Sequence, residues 1–596
     1  MERRVLLAVF LSFLVLYGYQ ALFAPVPPPQ DSITREGLRQ EDEPTPLPLT
    51  SPGTPARPTP QRGRISAVER STTDPIVSDT VPRDIIVESD FFRAVFVNRG
   101  AELVSWQLKD YLTGGRPVEL VLQSLPPEEP WPFTLAFEDE DLTYLADEAL
   151  FRPSRNELRL SGSPETLTFD YQDDSGFSIR KTFTFDPVTT PFVLRLTVEA
   201  RLGDEVLHPA VQWGPGLGGV EGEGSMFAVM QGPRGLMYGR ISEADGLLSA
   251  DPSVERPDRA DVAVQPVYEG LFDFVGVDNH YFAAVALPEQ QQIAVRYRAV
   301  QLPLLTPDGE TRDLMAFELR APDGMNDVAF FLGPKNFEIL ESTSTALVRA
   351  IDFGWMSVLV VPLYRTLKWA YSLVGNYGFA IILITVLVNI VIFPLRHKSV
   401  SSMRKMQEIQ PEMKAIQERF AHLKATDPDK QKMNKEVMAL YRDRGVNPVS
   451  GCLPMLLTMP ILFAFYRLLS MVIELRGAPF VLWINDLSVH DPLYVTPVIM
   501  GASMVVQQRL TPAQGDPMQQ RIMMLMPIMF TFMFLWAPSG LVIYWLTSNL
   551  LGIGQQLVTY RIIGPPKIRT IRPPAERRVK VKKSKKKASD SQPETK

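Results

Sequence analysis

Cysteine is almost missing from this chain: Cys452 is the only one in 596 residues. An intramolecular disulfide and a thiolate metal cluster are thereby excluded. Histidine is scarce as well. His208, His280, His397, His422 and His490 are far apart and match no zinc-type ligand spacing, so neither a metal nor another cofactor is expected. No G-x-x-x-x-G-K-[ST] loop occurs, which argues against a P-loop nucleotide engine. Large apolar residues are few between positions 25 and 80, where 12 prolines stand instead, so that stretch cannot build a core and reads as an extended tether.

What is present is unevenly placed. Apolar residues make up 45% of the chain, concentrated in the first 24 residues and from about 379 to 560. Charge is segregated too. The net is −6, yet 396–448 carries 12 Lys/Arg against 7 Asp/Glu, and 561–596 carries 13 against 3, so the remainder is strongly acidic. Such segregation fits parts held in different compartments.

Arg3 and Arg4 precede an apolar run from Val5 to Ala24. Twenty helical residues cover about 30 Å, the thickness of a hydrocarbon core. A cleaved signal peptide is the rival reading. The length of the run, and Pro25 directly after Ala24, favour an uncleaved anchor. From 82 to 334 the pattern turns to short alternating strands: Phe91–Val97, Thr166–Tyr171, Phe177–Phe185, Phe192–Val198, Tyr281–Leu287 and Ile293–Val300, broken by Gly, Asp and Pro. They predict a large antiparallel β-sandwich. Lys335 to Ile351 reads helical. Trp355 to Val374 is amphipathic, with Arg365 and Lys368 among interfacial aromatics, and is expected to lie on the outer membrane face. Together these two form a segment, 335–374.

Five further spans follow: Gly378–Leu395, Leu453–Ile473, Tyr494–Leu510, Ile522–Trp536 and Leu541–Tyr560. The placement of Lys and Arg orients them. Arg3/Arg4, Arg396/Lys398, Arg442/Arg444 and the tail after Tyr560 all fall inside if the chain crosses six times, with both termini in the cytoplasm. The fold class is therefore an α-helical polytopic membrane protein of six transmembrane helices, with a large external β-sandwich. A cytoplasmic helical hairpin, 396–448, completes it. Its first arm, Ser399 to Lys424, has Met403, Met406, Ile409, Met413, Ile416 and Phe420 along one face; Asp427-Pro428 starts the second, and Gly445 ends it.

Four ordered stretches then carry a resemblance. They are Gly375-Asn376-Tyr377-Gly378-Phe379; Val446-Asn447-Pro448 through Gly451-Cys452-Leu453-Pro454 to Met459-Pro460; Glu474-Leu475-Arg476 through Ala478-Pro479-Phe480 to Trp483-Ile484 and Asp486-Leu487-Ser488; and Asp516-Pro517-Met518-Gln519-Gln520 with Pro538-Ser539-Gly540 and Ser548-Asn549-Leu550. Over about 375–560 the chain resembles the YidC family of membrane protein insertases. The β-domain after span one is similar to that of the family's Gram-negative form, a sugar-mutarotase-like super-sandwich in the periplasm. The resemblance implies an inner-membrane insertase and chaperone, not an enzyme. It would work on nascent membrane proteins, alone or beside the Sec translocon, and is expected to function as a monomer. The implied domain plan is an anchor (1–24), a linker (25–81), the β-domain (82–334), the interfacial helices (335–374), a five-helix core (375–560) and a basic tail (561–596).

The mechanism implied by the resemblance is a hydrophilic groove among the five core spans. Thr385 and Asn389 share a helix face, Thr458 is the matching polar residue in span three, and Tyr544/Ser548 and Trp545/Asn549 are i, i+4 pairs in the last span. Polar groups in a spanning helix avoid lipid, so they should line a groove or bond neighbouring helices. Most family members carry Arg where this chain has Asn389. Arg467 is the evident intramembrane cation: it either restores charge to the groove or snorkels to the outer interface. Met523, Met526, Met529 and Met533, together with Met524, offer a flexible apolar slide for client helices, or ordinary packing. The tail residues Arg577, Arg578, Lys580, Lys582, Lys583, Lys585, Lys586 and Lys587 suit ribosomal RNA phosphates or anionic lipid. Energy need not come from a nucleotide, since about 20 Leu-like residues gain roughly 6–12 kcal/mol on entering a membrane. A secondary transporter would need inverted repeats, which are not seen. A tethered sugar enzyme or carbohydrate-binding domain would need His208 or His280 in a defined site.

Overall fold

The computed structural model describes residues 74–564 apart from 219–233, 243–247, 304–310, 421–428, 446–452, 511–516 and the single positions 114, 124, 127, 290, 323, 325 and 326. The expected first span, the linker up to residue 73, Asp427-Pro428 and the basic tail lie outside the described residues.

Strand periodicity builds the first half. Along Phe177–Phe185 the side chains alternate between interior and surface, and Phe177, Ile179, Phe183 and Phe185 all turn inward. This strand belongs to a large sheet. Its neighbours run in the order Glu165–Asp173, Phe177–Phe185, Val193–Leu202, Val328–Pro334, Phe282–Leu287, Val267–Asp278, Gln292–Pro303, Thr311–Arg320 and Ala210–Trp213, each pair antiparallel. A smaller sheet, Arg116–Glu119, Glu102–Thr113, Phe92–Val97, Asp84–Glu88 and Glu157–Arg159, packs on it. The contact is aromatic, with Phe96 and Phe183 ring centroids 4.7 Å apart and Phe96 and Phe169 6.1 Å apart. One pairing departs from the antiparallel expectation: Ile86–Glu88 runs parallel to Glu157–Arg159 at the edge of the small sheet.

Period two also carries Lys181 into this interior. Its ammonium donates to the carbonyls of Gly100 (2.6 Å) and Phe133 (2.8 Å), which replace the water it has lost. Burial pushes its pKa down, against the attraction of Glu102. Lys335 and Asp278 form a second buried charge system, an ion pair of 3.0 Å. There too burial depresses the lysine, and the carboxylate opposes it.

Ten helices are described: α1 Glu140–Glu148, α2 Arg259–Val264, α3 Phe337–Thr343, α4 Ser357–Val374, α5 Tyr377–Arg419, α6 Asp429–Asp443, α7 Leu453–Met471, α8 Val495–Leu510, α9 Pro517–Phe534 and α10 Ser539–Ile563. The helix expected over Lys335–Ile351 is corrected to the seven residues of α3 and a separate 3-10 turn at Leu347–Ala350. Asn336 caps the start by accepting from the Glu338 and Ile339 N–H groups, and Ser344 ends it in extended backbone. The break expected between a span ending at Leu395 and an arm starting at Ser399 is absent. α5 runs on as one helix of 43 residues through Pro394 and Pro411. α6 packs back on its far half, where Tyr441 covers Met406 and Ile409, donates to the Met413 sulfur at 3.1 Å, and is flanked by Arg444–Glu412 (2.6 Å) and Arg419–Glu436 ion pairs.

Among the described residues, α5 is the one helix long and apolar enough to cross a membrane by length and composition; Met459–Met471 and Met524–Phe534 are shorter apolar stretches. α4 buries Val360, Tyr364, Leu367 and Ala370 and exposes Val358, Leu359, Trp369 and Leu373. Gly375, in the left-handed region, closes it. The turn to α5 is tight: a Cβ on Gly378 would come within 2.0 Å of the Phe480 ring.

The β-domain is bolted to one end of the helical core. The His280 Nε2–H donates to the Ser470 carbonyl at 2.6 Å, and Arg476 donates to Thr113 (2.5 Å) while lying over the rings of Tyr281 and Phe282. Beside it, Glu474 accepts from Tyr364 (2.5 Å) and Asn336 (3.1 Å), with Lys368 at 4.0 Å. Burial pushes the Glu474 carboxyl up, and these donors pull it back.

Candidate functional site

Helices α5, α7, α8, α9 and α10 reverse the usual arrangement of side chains. Outward they show Ile390, Val391, Phe463, Val498, Met524, Leu525, Ile528, Phe532 and Leu550. Inward they hold Thr385, Asn389, Ser503, Asn549, Gln556 and Thr559. An apolar exterior around a polar interior is stable in lipid and unstable in water.

α5 and α10 form the spine of this polar seam. The Thr385 hydroxyl donates to the Ile381 carbonyl of its own helix at 2.6 Å. The Asn389 amide nitrogen donates to the Thr385 carbonyl at 2.7 Å, which turns its oxygen the other way. That oxygen accepts from Arg396 Nη1 at 2.8 Å. Asn389 is only 8% exposed, so the pairing removes a buried amide oxygen that would otherwise be costly. Tyr544 of α10 is buried, stacks on Phe465 of α7 at 4.2 Å, and is close enough to Arg396 to interact electrostatically. Further from the β-domain, Gln555 donates to the Phe393 carbonyl (3.1 Å), and His397 approaches the Thr559 hydroxyl at 3.3 Å.

The other face of α10 is a clamp. Asn549 donates to Ser503 of α8 at 3.1 Å, and Trp545 packs against Phe530 and Phe534 of α9. Gln556 and Tyr560 both donate to the Leu510 carbonyl at 2.8 Å. The polar residues expected to share one groove are thus divided. Thr385 and Asn389 bond within α5, Tyr544 stacks on α7, Trp545 and Asn549 join α10 to α8 and α9, and Ser548 is half-buried. Thr458 lies in α7, with its side chain outside the described residues.

Arg467 is not near Asn389. It pairs with Asp352 at 3.8 Å, one turn from Ser470 and the β-domain contact. Asn389 sits 12 residues into α5 from that same end, about 18 Å deep at 1.5 Å per residue. The cation at the seam is Arg396, which the sequence pattern presents as a flank charge. The available signal was its spacing: seven residues after Asn389 is two turns, on one helix face. Of the methionines, Met529 is exposed and Met526 and Met533 are half-buried, Met533 against the core; the Met523 side chain lies outside the described residues. His280 is occupied by Ser470 and His208 lies on the surface, so the two do not converge on a sugar site.

Two family profiles match the chain. One, described as the 60Kd inner membrane protein, spans 369–565; the other, the YidC periplasmic domain, spans 84–366. A membrane protein insertase YidC of Geotalea uraniireducens is 37% identical over 565 residues, covering 93% of this chain and 98% of that one. A membrane protein insertase YidC of Geobacter metallireducens is 35% identical over 576 residues, with the same shares. Among solved structures, an active YidC insertase with its first transmembrane domain resolved aligns over 82% of this chain and 95% of its own, at 16% identity and TM-score 0.32. A galactose mutarotase-like protein from Lactobacillus casei aligns over 42% of this chain and 99% of its own, at 11% identity and TM-score 0.27. With both profiles matched in order and relatives above 30% identity over nearly their whole length, the chain belongs to the YidC family of membrane protein insertases.

Proposed function

We propose that the polar seam is the route by which this insertase passes the short hydrophilic flank of a client across the inner membrane, while the client's apolar segment leaves into lipid along α9. The observation that carries this reading is the pairing of buried Asn389 with half-buried Arg396 inside a bundle whose outer surface is apolar. Water or a polar peptide could take over those hydrogen bonds, whereas lipid could not. The seam is closed at Thr385, which is fully buried, and partly exposed at Arg396. α7 rests mainly on α4 and touches α5 and α10 over short stretches. A client helix could therefore part α7 from α10 without disturbing the α5–α10 spine. Met529, with Met524 beside it, would then meet the departing segment.

In this reading the chain crosses the membrane six times with both termini in the cytoplasm. The α5–α6 hairpin lies on the cytoplasmic side, and the β-domain fixes the opposite, periplasmic end. Nascent membrane proteins are the clients, alone or handed on with Sec translocon components. The tail from Arg577 to Lys587 contacts ribosomal RNA, and the protein acts as a monomer in the bilayer.

Single-cysteine accessibility tests the seam. In a Cys452→Ser background, Asn389→Cys and Tyr544→Cys should be modified by a membrane-impermeant maleimide added from the cytoplasmic side, and Met529→Cys should be protected. Protection of both seam positions under insertion conditions would exclude the route.

A further inference from the structure

We propose that His280 is an acid-released latch: its neutral ring holds the β-domain on the outer end of α7, and a proton on that ring frees the domain. The inference goes beyond the client route and rests on the reading above only in placing this junction on the periplasmic side.

A tight turn delivers the ring to α7. The Asn279 side chain accepts from the N–H groups of Tyr281 (3.0 Å) and Phe282 (2.8 Å), and the Asn279 N–H donates to the Phe282 carbonyl (2.9 Å). His280 is thereby fixed at the tip between the strands Val267–Asp278 and Phe282–Leu287. It is 5% exposed, and its Nε2–H reaches the Ser470 carbonyl. Ser470 lies in the last turn of α7, where carbonyls have no partner in their own helix. His280 therefore caps the helical core from the β-domain.

The same placement makes the ring a poor host for charge. With its proton on Nε2, neutral His280 has a bare nitrogen at Nδ1. Nδ1 is buried and has no hydrogen-bond partner among the described residues. Protonation would put an N–H there with nothing to accept it. The surrounding charges are cationic or already paired. Lys335, at the end of the strand Val328–Pro334, is taken by Asp278, and Arg467 of α7 by Asp352. Arg476 lies over the ring of Tyr281, which meets His280 edge-on at 4.3 Å. Burial, Lys335 and Arg467 hold the imidazole pKa below 6.5, against the pull of the Ser470 carbonyl and Asp278. A proton therefore binds the released ring better than the seated one. The seat loses stability as pH falls from 6.5 toward the lower seated value. Glu474, a buried carboxyl of the same junction, works in the opposite sense. Burial raises its pKa, so acid tightens the seat through it.

The test uses the full chain in nanodiscs, with Cys452→Ser and spin labels at Val206→Cys and Leu482→Cys, both exposed positions on either side of the junction. Pulsed electron resonance then reads the ratio of released to seated molecules from the distance between the labels. From about pH 8 to about pH 5 that ratio should rise, by up to about thirtyfold, the protonation ratio of an exposed imidazole at the lower pH. His280→Gln keeps an N–H for Ser470 and does not titrate, so its ratio should stay flat. Glu474→Gln removes the opposing group and should keep or enlarge the rise. A parent ratio unmoved by acid overturns the proposal. So does a rise that persists in His280→Gln, or one that vanishes in Glu474→Gln, since either assigns the response to another group. If His280→Gln fails to seat even at the higher pH, exchange of the imidazole C2 hydrogens in the parent, read by mass spectrometry, decides. His280 must titrate over the pH range of the release, and titration outside that range overturns the latch. Nanodiscs open both faces to buffer, so the outcome is independent of the orientation in the membrane and of the client route.

Discussion

In the β-domain, side chains sort as they do in water: Trp106, Phe133, Phe183 and Trp213 lie inside, and ion pairs such as Arg180–Asp170 and Arg195–Glu289 lie at the surface. In the helical core the sorting is inverted, with Asn389, Ser503 and Asn549 inside and Met524, Ile528 and Phe532 outside. The difference teaches that one chain was shaped by two solvents. It also separates two uses of a buried cation. Lys181 is held by backbone carbonyls and Lys335 by the Asp278 carboxylate, and both hold a fold together. Arg396 has one neutral partner and partial exposure, which leaves it capacity to act on something else.

The contrast can be broken most sharply in the β-domain. Lys335→Met leaves Asp278 charged and buried without a partner, which should destabilise that domain by about 3–5 kcal/mol, read as a lowered unfolding midpoint of the solubilised chain. If Lys335 were as loosely held as Arg396, the loss would be small. In the connection between α7 and α8, Asp491→Ala should cost about 2 kcal/mol. Its carboxylate accepts from Trp483 Nε1, the Leu493 N–H, and both the N–H and hydroxyl of Thr496. Burial alone would raise its pKa, but these donors outweigh burial and hold it below 3.8. A carboxyl depressed on folding stabilises above its unfolded pKa and loses that contribution as pH falls through the lower folded value. The parent chain should therefore show an acid-dependent loss in that window that Asp491→Ala lacks.

Inside the helical core the expected effects are smaller. Asn549→Leu should cost about 0.5–1.5 kcal/mol, since hydrogen bonds between membrane helices contribute little net energy. Thermal unfolding in detergent measures it against Ser503→Ala, and the two losses should combine to less than their sum, because both variants remove the Asn549–Ser503 bond, while Ser503→Ala also removes the bond to the Met500 carbonyl. Smallest of all, Arg195→Ala should change β-domain stability by under about 1 kcal/mol, because its partners Glu289 and Asp327 are exposed.

Much of the β-domain was legible because period two leaves little choice of face. Phe177–Phe185 has the same ends in sequence and structure. The helices of the core were legible from their apolar runs for the same reason of length. Three features were not. The helix expected over Lys335–Ile351 breaks at Ser344, where local backbone choice overrides composition. The unbroken passage of α5 past Pro394 was hidden because proline usually ends helices; here α10 packs along the same stretch, with Gln555 donating to the Phe393 carbonyl. Above all, Arg396 reads as a flank charge in one dimension. Its direction depends on the tilt of Cα–Cβ bonds and on an amide two turns away, and neither is a property of the residue alone. The same limit hides the partner of Arg467: Asp352 is 115 positions away in sequence and adjacent in space.

The central claim is that the client's polar flank meets the α5–α10 seam and its apolar segment meets α9. Photoreactive residues at 389 and 529, tested against a stalled single-span client labelled at either end, address it directly. The account predicts crosslinks from 389 to the hydrophilic flank and from 529 to the apolar segment. Crosslinks from 529 alone, with 389 silent toward every part of the client, would contradict it.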